Sequence, residues 1–322
     1  MVQVVGHRAY RAKYPENTLL AFNKAYAAGI RILETDLQLT KDGVVVINHD
    51  HSTGRTWDRD LVIRDTLLEE LKTLRNRNVS EERLPTLRDL LEWVMDHDEC
   101  TLMLDMKNTN DIILMSKVFD ELLSVKDDLS YWQTKIIWGV WSLDWYVYGI
   151  KNKLVKGFKV IVITGDLHVA RRFIEYSEAL EDKDYKLYGI SLFFVSSWTL
   201  QFREELVPLI LKNDIHVFLW TVNRREDYNY TVGLPIYGVI VDDPVEGREI
   251  VKELNGQVEN RQVPNRFTAP GWLSSMEGFR FNGFILLYKA VHYITHFKLM
   301  RVNILGYTPL NIIFKLLDKI GF

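Results

Sequence analysis

Residues 31–50 read RILETDLQLTKDGVVVINHD, and the pattern of this stretch decides the architecture. Ile32, Glu34, Asp36 and Gln38 alternate with Leu33, Thr35, Leu37 and Leu39, the two-residue period of a β-strand. Asp42-Gly43 supplies a tight turn, because glycine takes the positive φ that hairpin turns demand. Residues 44–47 run back as a β-branched strand into Asn48-His49-Asp50. With Asp42 and Gly43 as a two-residue loop, Lys41 pairs with Val44, and His49 falls opposite Asp36 within one residue of register. Opposed residues of an antiparallel pair share a face. The hairpin therefore brings two carboxylates and an imidazole to one place, the core of a metal site with an acid/base group beside it.

Working outward, the rest of the chain builds a frame for this hairpin. Residues 2–5 form a short apolar strand that ends at Gly6-His7-Arg8. Residues 15–18, Pro-Glu-Asn-Thr, open a helix that stops at Gly29, with Asn17 or Thr18 as its cap. Amphipathic helices at 69–75 and 87–95 precede a strand at 101–106, TLMLDM, whose C-terminal end carries Asp105-Met106-Lys107. Strands at 135–141, 159–164, 187–193, 216–222 and 237–241 then alternate with helices that include 167–179, 200–212 and 245–254. Eight parallel strands and one returning hairpin strand predict a (β/α)8 TIM barrel. Such barrels place their chemistry at the C-terminal strand ends. His7, Glu34, Asp36, Asp105, Lys107 and Trp220 all fall at or near these ends, and the hairpin returns His49 to the same level.

The chain has 322 residues, 47% hydrophobic and 26% charged. A barrel takes about 250 of them, which leaves too few for a second large domain. A net charge of −3 carries no nucleic-acid-binding signature. The single cysteine, Cys100, excludes an internal disulfide framework and fits a reducing, intracellular setting. MVQVVGH at the N-terminus has no signal-peptide pattern. The expected division is a catalytic barrel at 1–255, a linker at 256–278 containing Pro264 and Pro270, and a tail at 279–322. In the tail, Arg280, Lys289, Lys298, Arg301, Lys315 and Lys319 meet one acid, Asp318. Asn282, Lys289, His292 and His296 share one arc of a helical wheel, opposite Phe284, Leu287, Val291 and Ile294. Asn311, Lys315 and Asp318 make a similar stripe against Ile312, Ile313, Leu316 and Leu317. The uncharged run 302–314 is shorter than the roughly 18 residues of a spanning helix. The tail thus reads as helices lying in a membrane interface, in preference to an extra helical pair packed on the barrel.

Glu34 and Asp36, at i and i+2, leave their strand on one face, where they repel each other unless a cation lies between them. Hard oxygen ligands select Mg²⁺, Ca²⁺ or Mn²⁺, and Asp105 offers a third oxygen ligand. A solvated strand edge would account for the Glu34/Asp36 pair alone, but not for that pair joined by His49-Asp50. Histidines titrate near neutrality, so His7 and His49 are the candidate acid and base. Arg8 and Lys107 bring positive charge that can hold a phosphoryl group, or else balance the neighbouring acids. Trp220, in the WTVN run, reads equally as a core tryptophan or a substrate wall, whereas Trp138, Trp141 and Trp145 read as core.

Four segments in order carry a resemblance: VGHRAYRAKYPENTLLAFNKAYAAG (5–29), ETDLQLTKDGVVVINHD (34–50), LMLDMK (102–107) and LWTVN (219–223). Together they resemble the glycerophosphodiester phosphodiesterase family over about residues 1–254. The resemblance implies a distorted, phospholipase-C-like TIM barrel using one divalent cation, Mg²⁺ or Ca²⁺. It implies His7 and His49 as the acid/base pair, Glu34, Asp36 and Asp105 as metal ligands, and Arg8 and Lys107 as phosphate contacts. Ala9 stands where the family usually has glycine, and Asp105 where it usually has glutamate. With SSWTLQFR (196–203) and GFRF (278–281), the whole chain is similar to the fungal phosphatidylglycerol-specific phospholipase C branch. That branch implies hydrolysis of phosphatidylglycerol to diacylglycerol and glycerol 3-phosphate in phospholipid catabolism. It also implies a phospholipid substrate, a membrane surface met through 279–322, and an intracellular mitochondrial, endoplasmic-reticulum or lipid-droplet membrane as its place. The alternatives are a phosphodiesterase or lysophospholipase D for other glycerophospholipids, or a non-catalytic lipid-binding barrel, which the intact motifs disfavour. A soluble substrate should be turned over unchanged after deletion of 279–322.

Overall fold

The computed structural model describes residues 2–231, 233–255 and 276–296. Eight parallel strands close into a barrel: β1 (Gln3–Gly6), β2 (Ile32–Leu39), β4 (Thr101–Met106), β5 (Ile136–Val140), β6 (Lys159–Thr164), β7 (Gly189–Phe193), β8 (His216–Trp220) and β9 (Gly238–Val241). β3 (Val45–Ile47) is the antiparallel return strand on β2. Closure is made by β1, which pairs with both β2 and β9. Along each strand the alternation sorts side chains into two cores. Val5, Met103, Ile137, Ile161, Phe218 and Ile240 fill the barrel, while Leu33, Leu37, Leu102, Leu104, Ile190 and Leu192 pack beneath the helices.

The helices are α1 (Leu19–Ala27), α2 (Leu68–Leu71), α3 (Leu87–Met95), α4 (Leu114–Val125), α5 (Leu129–Lys135), α6 (Leu143–Lys151), α7 (Leu167–Ala179), α8 (Val207–Lys212), α9 (Arg225–Thr231), α10 (Pro244–Asn255) and α11 (Met276–His296). Thr18, rather than Asn17, caps α1 through its hydroxyl. Thr86 and Asp89 form a capping box on α3. The helix expected at 69–75 shrinks to the single turn of α2. The chain beyond it bridges Asn76 to Trp57, and Arg75 N–H donates to Asp58, which takes that backbone out of helical pairing. Residues 48–86 form an excursion above the barrel with its own small core of Trp57, Ile63, Leu71, Leu74 and Leu84 against Val46. The helix expected at 200–212 divides into a π-helical turn, Phe202–Leu206, and α8.

The hairpin differs from expectation by one residue. Thr40 N–H donates to the Val44 carbonyl (3.0 Å) and Gly43 N–H to the Thr40 carbonyl (3.0 Å), enclosing a three-residue loop with Gly43 at φ 76°. The Thr40 hydroxyl donates to Asp42 and accepts from Val44 N–H, locking that longer loop. Leu37 consequently faces Ile47, and Asn48 rather than His49 donates its N–H to the Asp36 carbonyl (3.1 Å).

Helix α11 rests against the turn Phe194–Trp198 that follows β7. Tyr288 donates its hydroxyl to the Gly165 carbonyl (2.7 Å) after β6, and Arg280 pairs with Asp227 of α9 (3.1 Å). Phe284, Ile285 and Tyr288 pack on the core, while Leu286 and Tyr293 are exposed. Residues 256–275, with the two linker prolines, and 297–322, with the Asn311/Lys315/Asp318 stripe, lie outside the described residues. Among the described residues, no helix is long and apolar enough to cross a membrane.

Candidate active site

The barrel register sets the acidic cluster. Asp36 of β2 lies directly beside Asp105 of β4, and Glu34 is one pleat below Asp36 on the same face. One carboxylate oxygen from each of these three buried residues lies within 4.8 Å of the others, so the three can hold a metal ion. Lys107 Nζ bridges Asp36 Oδ1 (2.6 Å) and Asp105 Oδ2 (2.5 Å). Asp105 Oδ1 accepts from Trp141 Nε1 (2.6 Å). Asp36 Oδ2 accepts from Asn17 Nδ2 (2.9 Å), whose amide oxygen is fixed by the Thr35 hydroxyl (2.8 Å). Arg8 N–H donates to Glu34 Oε2 (2.8 Å), and its guanidinium lies 3.5 Å from Asp36.

The charges within the cluster are unequal. Burial and the negative charges of Asp36 and Asp105 push Glu34 well above the ordinary carboxylate range. Burial alone would raise Asp36 too, but Lys107, His49 and Arg8 outweigh it and hold Asp36 well below. Asp105 is raised because burial, with Asp36 alongside, prevails over Lys107. A trio in which two members resist ionisation fits an added cation, and an all-oxygen donor set suits a hard divalent one.

Each histidine is held at Nδ1 by its own carboxylate. His7 Nδ1 lies 2.6 Å from Asp242 Oδ1, and His7 Nε2 lies 3.9 Å from Glu34. Asp242 stays ionised, below its ordinary value despite burial, through His7 and Arg11. An ionised carboxylate only accepts, so Nδ1 carries the proton and Nε2 offers its lone pair to the site. Burial, with Arg8 beside it, pushes His7 down to about 4 against the pull of Asp242. His49 Nδ1 lies 2.7 Å from Asp50 Oδ1, and its carbonyl accepts from Gln38 Nε2 (3.0 Å). Burial holds His49 below its ordinary value, with Lys107 and Arg8 adding to the effect and Asp36 and Asp50 opposing it.

The structure thus gathers His7, Arg8, Glu34, Asp36, Asp105 and Lys107 at the mouth, with His49 arriving from just beyond β3. Trp220 stands at the same mouth, its ring 6.2 Å from Trp141 and 5.4 Å from Phe193. Trp138 and Trp145 are core as expected, but Trp141 is not: it is half-buried and hydrogen-bonded to a cluster carboxylate. Sequence reasoning also passed over Asp242. The criterion that marked Asp105, an acid just past an apolar strand, applies equally to Asp242 after β9. Asn223 of the WTVN run holds Asp242, donating Nδ2 to Oδ2 (2.9 Å) and accepting from Asp242 N–H (2.9 Å). Nothing in the local pattern announced Glu16 and Arg55, which meet across the two loops.

Comparison with known proteins identifies a family for the chain and relatives of its fold. The model of the glycerophosphoryl diester phosphodiesterase family matches residues 7–246. A glycerophosphodiester phosphodiesterase of Caldanaerobacter subterraneus is 28% identical over 246 residues, covering 75% of this chain and 94% of its own. Rat glycerophosphodiester phosphodiesterase 1 is 34% identical over 118 residues, covering 34% of this chain and 35% of its own. Among solved structures, an Oleispira antarctica phosphodiesterase in complex with its product sn-glycerol-3-phosphate superposes with a TM-score of 0.64 at 21% identity, over 78% of this chain and 96% of that one. The glycerophosphodiester phosphodiesterase of Thermotoga maritima superposes with a TM-score of 0.60 at 28% identity, over 78% and 98%.

Proposed function

The chain belongs to the glycerophosphoryl diester phosphodiesterase family, whose members are phosphoric diester hydrolases, and from that premise we propose that it is a phospholipase C for phosphatidylglycerol, releasing diacylglycerol and glycerol 3-phosphate. The observation that carries the chemistry is a pair of carboxylate-held imidazoles at the mouth that holds the acidic trio. His7, kept neutral by burial, takes the proton of the attacking hydroxyl at Nε2. His49, oriented through Nδ1 by Asp50, acts in its protonated form, passing the proton on Nε2 to the leaving oxygen. Arg8 and Lys107 bear on the non-bridging phosphoryl oxygens. A divalent cation, Mg²⁺ or Ca²⁺, held by Glu34, Asp36 and Asp105 would polarise the phosphoryl group. The attacking hydroxyl in this reading is the one on the second carbon of the headgroup glycerol. It closes a cyclic glycerophosphate that water then opens.

The rings of Trp141, Phe193 and Trp220, partly exposed at the mouth, support an apolar leaving group. The basic and apolar composition of 279–322 supports a membrane surface as the place where substrate is met. A second reading, hydrolysis of deacylated glycerophosphodiesters, is favoured by the names of the bacterial and rat relatives. Purified protein incubated separately with phosphatidylglycerol vesicles, phosphatidylcholine vesicles and glycerophosphoglycerol, with products identified by mass, separates the two. Phosphatidylglycerol should yield diacylglycerol and glycerol 3-phosphate, EDTA should abolish the reaction, and phosphatidylcholine should be spared. Turnover of glycerophosphoglycerol alone would give the second reading. Full-rate cleavage of a 2′-deoxy headgroup analogue would remove the cyclic step.

A further inference from the structure

Glu16, on the loop after β1, and Arg55, in the excursion, are distant in sequence from each other and from the acidic trio. They nevertheless form one ion-pair chain with the groups that orient the site. The Arg55 guanidinium uses two edges. Nη1 and Nη2 clasp Glu16 Oε2 (2.9 Å) and Oε1 (2.7 Å), and Nε reaches Asp50 Oδ2 (2.6 Å). The other oxygen of Asp50 is the one on His49 Nδ1. Glu16 Oε1 also accepts from Arg8 Nη1 (2.9 Å). The connection therefore runs Arg8–Glu16–Arg55–Asp50–His49 without a gap. We infer that Arg55 is a positioning residue, locking His49 through Asp50 while docking the excursion on the loop that carries Arg8.

The two histidines differ in this respect. Behind His7, Asp242 is steadied by the neutral amide of Asn223, between β8 and β9 of the barrel itself. Behind His49, Asp50 belongs to the excursion, whose own core is separate from that of the barrel. Its free oxygen would swing with that loop if a planar, two-edged cation did not tie it to Glu16. Only arginine presents donors on two edges in a fixed fork. A lysine ammonium reaches one carboxylate well or two poorly.

The inference rests on the reading of His49 as a proton-transfer group, and its test keeps the two apart. Wild type, Arg55→Ala, Arg55→Lys and Arg59→Ala are assayed on the diester that wild type turns over, with thermal melting of each. Arg59 sits on the same excursion, pairs with Glu70, and touches no catalytic group. Arg55→Ala should lose about a hundredfold in kcat, the scale of a misaimed general acid or base, with KM changed less than threefold or so. Millimolar guanidinium should restore part of that loss, and Arg55→Lys should fall between wild type and Arg55→Ala. Arg59→Ala should stay within about twofold of wild type. The far-downfield Nδ1 proton of His49, identified by its absence in His49→Ala, should be present in wild type and lost in Arg55→Ala. This spectrum reads the contact without any turnover. A kcat within threefold of wild type, an unchanged downfield proton, or an equal loss in Arg59→Ala would overturn the assignment. An inactive wild type with the downfield proton lost in Arg55→Ala would instead sink the hydrolase reading and leave the contact standing. If Arg55→Ala fails to fold, Arg55→Lys carries the same readouts.

Discussion

Asp242 reaches His7 across 235 residues of chain, and that one contact fixes which imidazole nitrogen is free to work. Asparagine at 242 could offer its amide N–H to Nδ1, which would shift the ring proton to Nε2 and leave no lone pair facing the substrate. Asp242→Asn should therefore lower kcat by about 10²- to 10⁴-fold with little change in KM, as steady-state kinetics on the diester will show. The backbone on either side of His7 is equally constrained. A Cβ on Gly6 would lie 2.2 Å from the Ala9 carbonyl oxygen, and Ala9 itself sits at φ 69°, the left-handed region where alanine is costly and glycine free. The preference of the family for glycine at that position thus has a geometric cause in this chain. At this scale a charged residue closing an apolar strand left a signal in the sequence, one that marked Asp105 and was passed over at Asp242. The sequence was silent where a partner came from a remote loop, as with Arg55 on Asp50, because ion pairs across loops leave no periodic trace.

The alternation of β2 set both the cluster and the core correctly, because a two-residue period has only two faces to choose from. The hairpin register slipped by one because Thr40 closes a three-residue loop in place of the two-residue loop that Asp42-Gly43 suggested. His49 still reaches the site, since it lies past the end of β3 and is aimed by Asp50 rather than by the strand pleat. The two loops that meet over the mouth are joined by Glu16, and this joint is sensitive to acid. Against the cost of burial, Arg55 and Arg8 bring Glu16 from 4.5 down to about 2. A carboxylate depressed in the folded state stabilises it fully above its unfolded value, and that contribution is lost as pH falls towards the folded one. Between about pH 5 and pH 2 the wild type should lose on the order of 3 kcal/mol through this group. Glu16→Gln should be less stable than wild type near neutrality, with the difference shrinking through that window. Chemical unfolding at a series of pH values measures it.

Across the molecule, the barrel was legible because eight apolar strands recur with helices between them, and each strand carries its side chains to one of two cores. The placement of α11 was not legible. Its contacts to the turns after β6, β7 and β8 are long-range and depend on Arg280 meeting the buried Asp227. Deleting 279–322 therefore removes packing against the barrel, contrary to the expectation that a soluble substrate would be turned over unchanged. It takes away the guanidinium that lies 3.1 Å from a carboxylate only 3% exposed. It also removes the Tyr288 hydroxyl from Gly165. That truncation should lower both the melting temperature and the turnover of a water-soluble diester. A chain ending at residue 296 should keep both and lose only the preference for vesicles. Differential scanning calorimetry and parallel assays on soluble and vesicular substrate decide between these outcomes.

The seam of the barrel, where β1 lies between β2 and β9, has a consequence for how the protein comes into being. His7 is synthesised 235 residues ahead of Asp242, which follows only after β8 and β9. Until that acid is made, the imidazole lacks the carboxylate that sets its tautomer, and the acid/base site is incomplete. The strand that closes the barrel is thus also the one that delivers the carboxylate behind His7.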